Sequence, residues 1–111
     1  MARLRFTDAA RADLAGIFAL SLERWGEAAA RRYAALLAAA ARAATSNPRT
    51  PLARERAELA KGLRSFHVRH VKLAFGVKAP VHVVFYRHVG AVVEIVRVLH
   101  ERMNPSEYLD P

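Results

Sequence analysis

The sequence has no cysteine. Disulfides and thiolate metal sites are therefore excluded, and a reducing compartment is the natural expectation. Long apolar runs are missing too. The longest, residues 34–41, ends at Arg42, far short of the roughly 20 residues that a membrane-spanning helix needs. The N-terminal MARLRF has no apolar signal core, so no secretory leader is expected and the chain reads as a soluble, cytoplasmic protein. The five glycines are scattered, which excludes a phosphate-cradling loop. No serine sits in a nucleophile elbow. Acids are scarce: ten Asp and Glu stand against eighteen Lys and Arg, for a formal charge of +8. They lie mostly on helical segments beside arginines, where solvated ion pairs explain them better than a two-carboxylate hydrolase does. The positive excess suits nucleic acid or an acidic partner, although an arginine-rich surface alone also produces it.

What remains is 111 residues, 53% of them hydrophobic, enough for one domain (1–111) with a modest core. Residues 3–6 alternate charged and apolar, as a half-exposed strand does. Thr7-Asp8 opens a helix, with Ala10, Leu14, Ile17, Phe18, Ser21 and Trp25 at helical spacing, and Gly26 closes it. A second helix is expected over 27–44, with Tyr33, Leu36, Leu37 and Ala40 as its stripe. So short a connection makes the two helices an antiparallel hairpin. Residues 49–62 read as a loop with one helical turn at 55–59. The period then changes to two: strands are expected at 63–69, 81–88 and 91–99, with an extended excursion over 71–80. The fold class is α+β: an N-terminal strand, a two-helix hairpin packed on a small, mostly antiparallel sheet in the order β-α-α-β-β-β, and a short C-terminal tail or helical turn.

A two-residue turn at Val89-Gly90 closes the last hairpin in this reading. Tyr86 then faces Val93, Val84 faces Ile95 and His82 faces Arg97. Phe85 faces Glu94 and Val83 faces Val96 on the other side, with Arg87 diagonal to Glu94. Both faces are apolar, so helices must cover one, and the chain's own tail or a partner the other. Arg97, projecting from an otherwise apolar strand, needs an acceptor, and Asp13 on the first helix is the natural one. Trp25 reads as a structural aromatic that packs the hairpin. The five histidines do not converge by spacing: on a strand, His67 and His70 point to opposite faces. No metal and no cofactor are expected.

The order of elements, together with "GLRSFHVRH" (62–70), "HVVFYR" (82–87) and above all "VVEIVRVLHERMNP" (92–105), resembles the ParE/RelE superfamily of bacterial type II toxins, and the ParE branch in particular. That resemblance implies a toxin held in check by a ParD-type antitoxin in a hetero-oligomeric complex. In the ParE branch the implied target is DNA gyrase, with replication blocked. In the RelE branch it is mRNA cut on the ribosome. The strand position where the nuclease members carry an arginine matches Val83, which cannot move a proton. The tail keeps Arg102 and Tyr108. A binding inhibitor of gyrase is thus the first expectation; an mRNA endonuclease or a degenerate, non-toxic member are the alternatives. Placing Val83 on the open face makes Arg64, Val83, Phe85, Arg87, Glu94, Val96 and Val98 the expected antitoxin groove. His100, Glu101, Arg102, Met103 and Tyr108 are the expected target contacts, and none of these residues is expected to be catalytic.

Overall fold

The computed structural model describes residues 2–109, except the side chains of 72–74. The elements are β1 (Arg3–Phe6), α1 (Asp8–Trp25), α2 (Glu27–Ser46), β2 (Arg54–Glu55), β3 (Leu63–His67), β4 (His82–Val89) and β5 (Val92–His100). Among the described residues they form a five-stranded sheet ordered β1-β5-β4-β3-β2, antiparallel except for β1 beside β5. The helical hairpin lies on one face. The expected order holds, with a two-residue strand, β2, added within the segment read as a loop. The excursion over 71–80 is not wholly extended: β3 stops at His67 and a 3₁₀ helix, Val68–Phe75, follows. Its Val71 and Phe75 pack on the core, a tertiary reward that period-two patterning does not reveal.

Local chemistry explains the helix ends. The Thr7 hydroxyl accepts the Ala10 N–H at 3.0 Å, as an N-cap should. Gly26 serves both helices: its N–H closes α1 on the Leu22 carbonyl, and its own carbonyl accepts the Ala30 N–H of α2. Its φ of +86° is a conformation that only glycine adopts freely, so the reversal takes one residue.

The core has two parts. Between helices and sheet lie Leu36, Leu37, Phe66, Val84, Tyr86, Val93, Ile95 and Val98. On the outer face a smaller cluster joins Leu63, Phe85 and Leu99 to Leu109 from the tail. The chain's own tail, with Leu59 and Ala60, therefore covers the apolar middle of the outer face.

The β4–β5 hairpin differs from the expected pairing in two ways. Its turn is Gly90-Ala91, so Tyr86 faces Ile95 and Arg87 faces Glu94. A bulge then intervenes, and Phe85 faces Arg97 while Val84 faces Val98. This extra residue moves Val98 onto the helix side and turns Arg97 toward the rim of α1. β1 ends at Phe6, opposite Ile95, so the next stretch of β5 loses its neighbour on that edge. Thr7 and Asp13 replace it. The Thr7 hydroxyl donates to the Val96 carbonyl at 2.7 Å, and the Asp13 carboxylate accepts the Val98 N–H at 2.9 Å. Arg97 holds that carboxylate with Nε–Oδ2 at 2.7 Å and Nη2–Oδ1 at 2.8 Å. Its Nη1 donates to the Tyr108 carbonyl of the tail at 2.7 Å. The Asp13–Arg97 pair thus ties α1, the bulge and the tail together.

Candidate functional site

The expected outer-face groove does not form as one surface. Side-chain alternation puts Arg64, opposite Tyr86, on the helix-covered side. There its Nη2 donates to the Thr50 and Ala53 carbonyls at 3.1 and 3.4 Å. Val98 faces the helices because of the bulge. Phe85 is only 2% exposed, beneath the guanidinium of Arg56 at 5.6 Å. Val83 and Val96 pack into the same tail-covered cluster. Glu94 gives its carboxylate to Arg5, not Arg87, at 2.9 Å. Parallel pairing with β1 sets Arg5 directly beside Glu94, a neighbour that hairpin geometry alone does not supply.

Unpartnered apolar surface lies on α1 instead. The helix buries a narrow strip, Ala10 and Ser21 fully and Leu14 and Ile17 partly. Along one flank run Phe18, Leu22 and Trp25, which are 37%, 43% and 66% exposed. Their spacing of four and three residues makes them one ridge. Trp25 is therefore not a packing residue of the hairpin: it sits exposed at the last position of α1. Phe18 also borders an apolar cleft of about 170 Å³ between α1 and α2, lined by Leu14, Ile17, Tyr33 and Leu37 among others. The signal was present in the sequence. Leu14, Ile17, Phe18, Leu20, Leu22 and Trp25 occupy far more of the helical circumference than one buried stripe uses.

The other flank of α1 borders a hollow of about 780 Å³. It is walled by Ala12, Asp13, Gly16, Ile17 and Leu20 of α1, by His82 and His100 at the ends of β4 and β5, and by the tail. Four of the expected target contacts, His100, Arg102, Met103 and Tyr108, line it together. Glu101 turns away to His67, whose Nε2 lies 2.7 Å from its carboxylate. That bond holds the Glu101 carboxyl below the usual range. Gly16 carries no sequence signal, and spacing alone gives His82 only a strand position facing Arg97; the fold brings both beside Leu20.

The imidazoles here are set by their neighbours. Tyr33 accepts the Val81 N–H at 3.1 Å, and its hydroxyl proton is assigned to Nδ1 of His82, 2.6 Å away. His100 accepts the Arg102 N–H on its own Nδ1 at 3.0 Å. In each ring the remaining polar atom is an Nε2–H donor, a tautomer assigned from these bonds. Burial, with His100 and His67 nearby, lowers the His82 pKa to about 4, so it is neutral at pH 7. Burial raises the Tyr33 pKa, which keeps its proton available to His82. Among the described residues no His, Asp and Glu side chains group to hold a metal. No described helix is long and apolar enough to cross a membrane.

A family model described as "ParE toxin of type II toxin-antitoxin system, parDE" matches residues 4–105. The chain is similar to "Toxin ParE1" of Caulobacter vibrioides, with 37% identity over 105 residues and 95% of each chain covered. It is also similar to "Toxin ParE1" of Mycobacterium tuberculosis, 35% identical over 108 residues, 96% of this chain and 97% of that one. Among solved structures, a chain described as "Chromosomal ParDE TA system from P. aeruginosa" superposes with a TM-score of 0.71. The match covers 90% of this chain and 96% of that one at 17% identity, a likeness of fold.

Proposed function

The chain belongs to the ParE toxins of type II toxin–antitoxin systems, and from that premise we propose that it arrests growth by binding DNA gyrase, without chemistry of its own, and is silenced by a ParD-type antitoxin. The observation that carries the reading is the ridge of Phe18, Leu22 and Trp25 beside an open apolar cleft. A free monomer gains nothing from exposing a tryptophan, a phenylalanine and a leucine on one helix flank; a partner does. An amphipathic helix laid along α1, with an apolar side chain beside Phe18, matches that surface. The formal charge of +8 favours an acidic antitoxin and speeds its capture. Arg87 is half-buried on the outer face, and its guanidinium is a further cation for that antitoxin to meet.

Binding is favoured over RNA cleavage by the surroundings of Val83. The strand position expected to carry a catalytic arginine in a nuclease is a valine packed with Phe85 and Leu99. The test adds purified protein to gyrase supercoiling and, separately, to translating ribosomes. Loss of supercoiling with intact transcripts is expected. Unchanged supercoiling with transcripts cut at the ribosomal A site would replace this reading by the endonuclease one.

A further inference from the structure

We propose that the hollow between α1 and the C-terminal tail is where this toxin grips its protein target, and that it takes a segment bearing a carboxylate beside an apolar side chain. The inference rests on the reading that the chain acts by binding a protein.

Gly16 is the first reason. It lies in the middle of an 18-residue helix, where glycine is less favourable than alanine. Nothing inside the protein requires it: a Cβ there meets no atom within 4 Å. The hollow lies over this exposed stretch of backbone, so a glycine here lets an outside chain approach closely.

The polar wall is the second reason. His82 and His100 have spent Nδ1 as acceptors on Tyr33 and Arg102, so each offers a donor. Arg102 adds a guanidinium with no ion pair among the described residues. The acceptors of the lining are mostly occupied. Both Asp13 oxygens hold Arg97, and Asn104 Oδ1 accepts from Ser106. Glu107 is the remaining carboxylate of the lining. Two imidazole N–H groups and a guanidinium complement a carboxylate. The rest of the wall is apolar and open: Leu20, Met103 and Tyr108 are 46%, 39% and 40% exposed. Such a pairing of apolar wall and donors suits a peptide segment better than a phosphate backbone. The site lies on the opposite flank of α1 from the Phe18–Trp25 ridge, so target and antitoxin would meet different surfaces.

The test fills the hollow. Gly16→Ala and Gly16→Leu are compared with the full wild-type chain for melting temperature, for growth arrest at titrated expression, for gyrase inhibition and for sedimentation. Expected is a melting temperature at or above wild type in both, with Gly16→Leu needing at least tenfold more protein to arrest growth. A purely structural role of Gly16 does not pair higher stability with lost toxicity. Arg102→Glu should lose arrest and Arg102→Lys should keep it, and this pair decides the matter if Gly16→Leu does not fold. Arrest by Gly16→Leu at wild-type levels would overturn the proposal. So would a wild-type dimer that Gly16→Leu splits, which would make the hollow a contact between two copies. If the wild type arrests growth without touching supercoiling, gyrase falls as the target, while the arrest series still tests the hollow.

Discussion

Replacing Arg97 by methionine probes the join between α1, the β5 bulge and the tail. Methionine keeps much of the length and apolar stem but removes the two bonds to Asp13 and the one to the Tyr108 carbonyl. Among the described residues Asp13 is then left with the Val98 N–H alone, on a side chain only 13% exposed, while that of Arg97 is 21% exposed. Removing one partner of a fully buried pair costs about 3–5 kcal/mol, most of it from the stranded charge. Residual exposure of this pair puts the expected cost at the lower end, about 3 kcal/mol. For a domain of this size that lowers Tm by roughly 12–18 °C. Adding Asp13→Asn to Arg97→Met removes the stranded charge while keeping an acceptor for Val98, so the double variant should recover roughly 1–2 kcal/mol relative to additivity. Thermal and urea unfolding of the four proteins measure this. A Tm for Arg97→Met within about 3 °C of wild type, or strict additivity in the cycle, would refute the bulge-tying role.

Acid should weaken the fold through His82. Its folded pKa is about 4 against an ordinary 6.5, so the unfolded chain takes up the proton first. The stabilisation is complete above pH 6.5 and is lost as pH falls toward 4, by roughly 2 kcal/mol after allowance for partial exposure. Urea titrations across that window check it, and His82→Gln, which removes the titrating group, should flatten the dependence. Leu109→Ala should cost about 2–3 kcal/mol and expose the outer face to a hydrophobic dye, because Leu109 roofs Phe85 and Leu99. Trp25→Ala should leave Tm nearly unchanged yet weaken antitoxin binding at least tenfold by calorimetry, as expected of a partner-facing anchor.

The sequence disclosed those features whose causes are local. Thr7 and Gly26 mark the ends of α1 because capping needs only nearby backbone. The β-branched and aromatic run in "HVVFYR" marks β4, and its helix-facing residues Val84 and Tyr86 are buried as expected. The Asp13–Arg97 pair was legible because a lone charge on an apolar strand demands an acceptor. The bulge was not, since nothing in "IVRV" distinguishes it from regular strand; it persists because Thr7 and Asp13, 89 and 85 residues from their partners, supply and accept the freed backbone bonds. That same bulge moved Val98, and with it one member of the expected groove. The rest of the groove was misplaced because its roof, Leu109, comes from the tail, and because β1 supplied Arg5 to Glu94. Trp25 illustrates a different limit: helical spacing tells which residues share a face, but not where the covering element stops.

Titrating the purified toxin against a fixed amount of gyrase, and following supercoiling over time, tests the central claim most directly. A binding inhibitor predicts that inhibition saturates at a small stoichiometric ratio of toxin to gyrase and does not deepen on longer incubation. Normal supercoiling at large excess of toxin, with substoichiometric and time-dependent cleavage of ribosome-bound transcripts, would contradict it.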